Sequence, residues 1–197
     1  MKKRRTFPYK IAFAFCFFIV SFTSIHWLPK STELKNGHWR ATILRPDGQQ
    51  IVFNFQSKDS AGKKIIYVIN GKEHLLVDSI ETRADSVFIE MPFFESSFKA
   101  KINSAGNLEG IWIKKYGKRV QTLPFKAMYN KKERFEVSAP PVANITGRWV
   151  TEFKTKNSAD TIVAEFNQEG THLSGTFLDP TGDYRYLDGV VSGDSLK

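Results

Sequence analysis

The chain has 197 residues, with 29 Lys and Arg against 20 Asp and Glu, and an aromatic complement of 17 Phe, 6 Tyr and 4 Trp. Residues 1–30 hold six of the positive charges and no acid, so residues 31–197 set 23 positives against 20 acids. That near-neutral remainder lacks the dense basic face of a nucleic-acid binder, and the wealth of aromatics speaks against a disordered chain.

The first element is a leader. Lys2, Lys3, Arg4, Arg5 and Lys10 precede a wholly apolar run over residues 11–20, followed by a mixed stretch to Trp27. A charged segment before a short apolar core is the secretory signal pattern. Residues 11–27 also reach the lower limit for a membrane span. Residues 1–30 are therefore a signal peptide or a membrane anchor, and either one exports the rest of the chain. Ser21-Phe22-Thr23 is a poor match to a small-residue cleavage site. Arg4-Arg5-Thr6-Phe7 continues as Pro-Tyr-Lys, which departs from a twin-arginine signal. Cys16, the sole cysteine, follows Phe15 and reads as an apolar residue of the leader. Residues 31–197 thus contain no disulfide and no thiol chemistry.

Beyond a short polar lead-in, the pattern has period two, as in strands with one buried face. Ile51, Phe53 and Phe55 share a face. An apolar run over residues 65–69 meets Asn70-Gly71, a hairpin signal, and then residues 72–77. Residues 87–91 form a strand that Pro92 stops. Phe98, Ala100 and Ile102 alternate with Lys99, Lys101 and Asn103. Residues 111–115 and 123–128 complete a first unit. Residues 137–144, with Pro140-Pro141, read as a linker. Further strands are expected at 149–153, 162–166, 173–178 and 184–191. No segment shows sustained helical periodicity.

A long repeat relates the two halves. Gly37-His38-Trp39 recurs as Gly147-Arg148-Trp149 and Val77-Asp78 as Leu187-Asp188, each displaced by 110 residues, and Asp85-Ser86 recurs as Asp194-Ser195 after 109. The first copy continues for about fifty further residues and the second does not. The expectation is an all-β chain of two tandem antiparallel meander units, barrel- or sandwich-like, the second incomplete. Unit 1 spans 31–136, the linker 137–144 and the partial unit 2 145–197. The chain is accordingly expected to be an N-terminal piece of a longer protein.

The residues offer no catalytic, cofactor or metal site. His26, His38, His74 and His172 lack a second ligand at a zinc-motif spacing. No phosphate-binding glycine loop, nucleophile elbow or triad is present. Glu90 and Glu95 are separated by Pro92. In the cluster Asp183-Tyr184-Arg185-Tyr186, strand alternation puts both tyrosines on one face, as a ligand-facing pair or as cross-strand packing. Asn144-Ile145-Thr146 is a glycosylation sequon that matters only in a eukaryotic secretory pathway.

Gly-x-Trp at the start of a meander resembles the opening of lipocalin-like barrels. A wider resemblance rests on Gly37-x-Trp39, Asn70-Gly71-Lys72-Glu73, Asp85-Ser86-Val87, Met91-Pro92, Gly110-x-Trp112 and Pro124-Phe125-x-Ala127. Gly175-Thr176-Phe177 and the run from Thr181 to Leu187 extend it. Over residues 37–197 these motifs resemble the β-rich N-terminal region of Bacteroidetes-type TlpA-like, thioredoxin-fold thiol–disulfide oxidoreductases. The resemblance implies a cell-envelope, periplasmic location and a C-terminal thioredoxin-like domain outside this chain. That domain's Cys-x-x-Cys has no counterpart here, so no catalytic residue carries over. The expected function is an accessory, non-catalytic region of such an enzyme. The alternatives are a lipocalin-like carrier, with Phe53, Phe55, Phe98 and Ile102 lining a cavity, and an envelope-anchored interaction module.

Overall fold

A computed structural model describes residues 33–93, 95–154, 158–184 and 186–197. The expected leader, with Cys16 and His26, lies outside the described residues, as does Arg185. Every regular element among the described residues is a β-strand. Unit 1 comprises β1 (Gly37–Leu44), β2 (Gln50–Ser60), β3 (Lys63–Asn70), β4 (Glu73–Val77) and β5 (Ile80–Arg83). It continues with β6 (Ser86–Glu90), β7 (Ser96–Ile102), β8 (Leu108–Tyr116) and β9 (Arg119–Tyr129). Unit 2 comprises β10 (Gly147–Lys154), β11 (Ala159–Glu169), β12 (His172–Leu178), β13 (Leu187–Ser192) and β14 (Ser195–Leu196).

Unit 1 is a nearly closed barrel. Its sheet order is β4-β3-β2-β1-β9-β8-β7-β6-β5, so the first and last strands pair and the break falls between the sequence neighbours β4 and β5. Parity explains the break. Nine alternating strands would leave β9 parallel to β1, yet Trp39↔Tyr129 and Ile43↔Phe125 are antiparallel partners. The conflict disappears because β4 and β5 are one strand, bent at Asp78-Ser79, which makes eight segments around the barrel. At the bend, Glu90 N–H of β6 donates to Ser79 O at 2.9 Å, which carries the β5–β6 ladder up to the break.

Alternation fills the interior. Trp39, Ala41 and Ile43 face inward from β1, and Phe98, Ala100 and Ile102 from β7. Trp39, Phe55, Leu34, Phe125 and Leu108 are almost wholly buried. Phe98 lies 4.6 Å from Phe125 and 6.0 Å from Phe53, centroid to centroid, which is packing contact. The residues expected to line a carrier's cavity therefore pack against one another. Burying each such ring contributes about 1.5–3 kcal/mol. Gly110 is a close-approach glycine, since a Cβ there would run into the Lys99 carbonyl oxygen of β7.

Unit 2 is a half-barrel in the order β10-β11-β12-β13-β14. The repeat extends to strand register. β1 and β10 correspond end to end, and Ile66↔Val77 recurs as Gly175↔Leu187. In that correspondence β13 matches the bent β4–β5 strand and β14 matches β6. Counterparts of β7, β8 and β9 are not found among the described residues, and β10 and β14 are free edges.

Two local expectations differ from the structure. Asn70 pairs with Glu73, so the turn residues of that hairpin are Gly71 and Lys72, and of these only Gly71, at φ +57°, is left-handed. Asn70 instead turns its side chain toward unit 2. β13 begins at Leu187, so Tyr184 and Tyr186 precede it and do not form a same-face strand pair. The Tyr184 N–H donates to Phe177 O at 2.9 Å, so the chain has already turned back along β12 at Tyr184, although the regular strand starts only at Leu187.

Candidate functional site

Two places gather side chains with something to do. The first is the junction between the units. The tip of the β3–β4 hairpin meets β12 and β13, where Asn70 Nδ2 donates to Tyr186 O at 2.5 Å. Between them stands Arg134, from the segment after β9. Its Nε donates to Val52 O at 2.9 Å, and one terminal nitrogen donates to Asp188 O at 3.1 Å and reaches Asn70 Oδ1 at 3.4 Å. Burial holds the Arg134 guanidinium below its ordinary pKa, and the charge of Asp188 opposes that shift. The Arg134 carbonyl in turn accepts from Arg40 Nε at 2.8 Å. Asp188 carries a second partner, His172 Nε2 at 2.9 Å from Oδ1. A cleft of about 410 Å³ opens beside this pair, lined by Gly71, Lys72, Glu169, His172, Ser174 and Tyr186 among others.

The junction is polar and convergent, but its groups are partnered to one another. Asp188 is shared between His172 and Arg134, which suits joining two units better than activating a nucleophile. Among the described residues no group of three or more His, Cys, Asp or Glu could hold a metal ion.

The second place is the inner face of unit 2 around Trp149. Its indole N–H donates to Ile145 O at 2.8 Å, as that of Trp39 donates to Lys35 O at 3.1 Å. The bond runs four residues back in each copy, so the local chain aims both rings inward. Their surroundings differ. Trp39 is 0% exposed, stacks on Phe55 at 5.7 Å and meets the Tyr129 ring at 5.1 Å. Trp149 is 47% exposed, with Ala164 as its cross-strand partner in place of Phe55. Gly37 and Gly147 share a backbone conformation, φ +137° and +135°, that glycine alone adopts readily. A Cβ on Gly37 would stand 3.2 Å from the Tyr129 ring, whereas nothing lies within 4 Å of one on Gly147.

The remaining candidates from the sequence are scattered. His38 lies on β1, and His74 on β4 sits 6.3 Å from the Tyr67 ring. Glu90 ends β6 and Glu95 is a turn residue at φ +45°. Tyr184 joins Phe153 and Phe177 in an aromatic cluster at 5.8 Å from each, while Tyr186 is 72% exposed. In the sequon, Asn144 Oδ1 accepts from Thr146 N–H at 2.8 Å, an Asx turn that leads into β10. Sequence reasoning passes over Arg134 and Asp188, which are remote in the chain and carry no local motif. The hint available is the recurrence of Val77-Asp78 as Leu187-Asp188.

No family model, curated protein or solved structure matches the chain.

Proposed function

We propose that this chain is a non-catalytic β scaffold, the accessory N-terminal region of an exported TlpA-like thiol–disulfide oxidoreductase. The observation that carries the scaffold reading is Trp149. It repeats the frame of a buried core tryptophan, yet it stands 47% exposed beside a free strand edge. A half-barrel with an uncovered apolar face is a unit made to be completed. The family part of the reading rests on the short motifs of residues 37–197. In this reading the polypeptide continues through the rest of the second barrel into a redox domain. The basic, apolar leader supports export to the cell envelope, anchored if residues 11–27 are retained.

The ring packing of Phe53, Phe98 and Phe125 takes support away from a carrier of apolar ligands. The interaction-module reading keeps one observation in its favour. Val150, on the outer face of β10, is 79% exposed, so both faces of that strand offer apolar surface.

The test is the reading frame beyond the codon for Lys197. A frame that completes the barrel and then encodes Cys-x-x-Cys is the expected result. A stop codon there overturns the oxidoreductase reading and leaves an anchored module that a partner completes.

A further inference from the structure

The free edge of β10 specifies what completes it. We infer, resting on the scaffold reading above, that it takes an antiparallel β-strand from the same polypeptide. That strand carries a tyrosine opposite Trp149, a small residue opposite Thr151 and a large apolar residue opposite Phe153.

The specification comes from unit 1, where β9 occupies the matching edge. There Tyr129 pairs with Trp39, Ala127 with Ala41 and Phe125 with Ile43. The Tyr129 hydroxyl donates to Asn36 O at 3.1 Å. The counterpart of that acceptor is the carbonyl of Thr146, one residue before Gly147. Three features of unit 2 are already set for such a strand. Trp149 is aimed inward by its bond to Ile145 O at 2.8 Å. Gly147 keeps the φ of Gly37, +135° against +137°, over open space where the Tyr129 ring lies in unit 1. Small Ala164, opposite Trp149 on β11, is 0% exposed, so the other edge of β10 is already covered and a strand can add only at the free one. The incoming strand thus gains a backbone ladder along one edge and an aromatic contact at its end. Beyond it, counterparts of β8 and then β7 would close the gap to the free edge of β14.

The probe is a synthetic hairpin of residues 108–129, the β8–β9 pair of unit 1, added to the full chain labelled with fluorotryptophan. The Trp149 resonance is assigned with Trp149→Phe. The inference expects that resonance alone to shift with saturation and to lose its sensitivity to exchange of H₂O for D₂O, while Trp39 stays still. A hairpin bearing Tyr129→Ala should bind roughly tenfold more weakly. Because a free hairpin pays its own ordering entropy, the same segment is also fused after Lys197 through a Gly-Ser linker, which raises its local concentration to about millimolar. Trp149 that stays solvent-exposed in both experiments overturns the inference. So does burial of Trp149 that rises with protein concentration without hairpin, which would make a second copy the occupant. The reading frame beyond Lys197 separates the two readings: a stop codon overturns a strand from the same polypeptide as well, whereas an open frame without Cys-x-x-Cys removes the oxidoreductase and leaves the edge result standing.

Discussion

Trp39 and Trp149 share a motif, a backbone conformation and a hydrogen bond, and they differ in everything that arrives from elsewhere in the chain. Around Trp39, β2 supplies a stacked Phe55 and Ser57 Oγ at 2.9 Å, and β9 supplies Tyr129. Around Trp149, β11 supplies Ala164, and among the described residues no strand lies on the far side of β10. The comparison separates two contributions. Local sequence orients the ring, and strands distant in sequence bury it. Orientation is therefore retained in a unit where burial is only half achieved.

The sharpest way to break the comparison is to remove each ring. Trp39→Ala opens a cavity in a closed core and deletes two aromatic contacts, at a cost of about 3–5 kcal/mol. Trp149→Ala removes a half-exposed ring and should cost less than about 1 kcal/mol. Urea unfolding of both variants, followed by unit-resolved amide signals, gives the two values. Equal losses would mean that unit 2 is as closed as unit 1. Limited proteolysis of the unaltered chain sharpens the same point, with the first cuts expected in residues 137–144 or within unit 2 rather than within β1–β9.

A smaller effect is expected at the junction. Arg134→Met keeps much of the apolar stem but leaves the carbonyls of Val52 and Asp188 and the Asn70 amide oxygen without their donor. Hydrogen bonds from a charged group contribute about 1.5–3 kcal/mol. The loss should fall mainly on unit 2, which has fewer strands of its own to hold it. Arg134→Lys should recover little, because an ammonium lacks the fork that serves several acceptors at once. An unchanged unfolding midpoint for unit 2 in Arg134→Met would show that the units are joined elsewhere. The obvious alternative is the chain of bonds from Ser138 N–H to Ser192 Oγ at 2.9 Å and from Gly193 N–H to Ala139 O at 3.1 Å.

Much of this architecture is legible in the sequence because it is local or periodic. The period-two runs locate most strands, and a displacement of 110 residues aligns β1 with β10. Three features escape such a reading. The bend at Asp78-Ser79 has neither Gly nor Pro to mark it, and it exists because an eight-segment barrel must close. Arg134 sits in an ordinary polar stretch, and its role depends on Val52, Asn70 and Asp188 converging from three other segments. Tyr184 and Tyr186 alternate like strand residues, yet Tyr184 is drawn into the aromatic cluster with Phe153 and Phe177. Spacing in the sequence argues against His172 as a zinc ligand, but it has no means of placing Asp188 beside that ring.

The smallest expected effect concerns the two copies of the staple before the first strand of each unit. In unit 1, Asp59 accepts from Lys64 Nζ at 2.6 Å and from Asn36 Nδ2 at 2.6 Å, tying the lead-in of β1 to the β2–β3 hairpin. In unit 2 the corresponding positions are Thr146 and Gln168, joined by neutral bonds from Gln168 N–H to Thr146 Oγ1 and from Ile145 N–H to Gln168 Oε1, both 2.9 Å. The bond from Lys64, and after it the bond from Asn36, holds the Asp59 carboxyl below its ordinary value of 3.8. A carboxyl depressed in the folded state stabilises it above the ordinary value, and that contribution is lost as pH falls through the folded value. The unit 1 staple should therefore loosen in acid while the unit 2 staple does not. The Asp59 site is exposed, so the effect is small and shrinks further in salt. Asp179 in unit 2 is depressed too, by Thr181, so an acid curve for the whole chain mixes both units. Residue-resolved carboxyl titration separates them, with Asp59→Asn as the control that abolishes the acid response of the Asn36 amide. An Asn36 amide that responds to acid equally with and without the Asp59 carboxylate would show that charge plays no part in the staple.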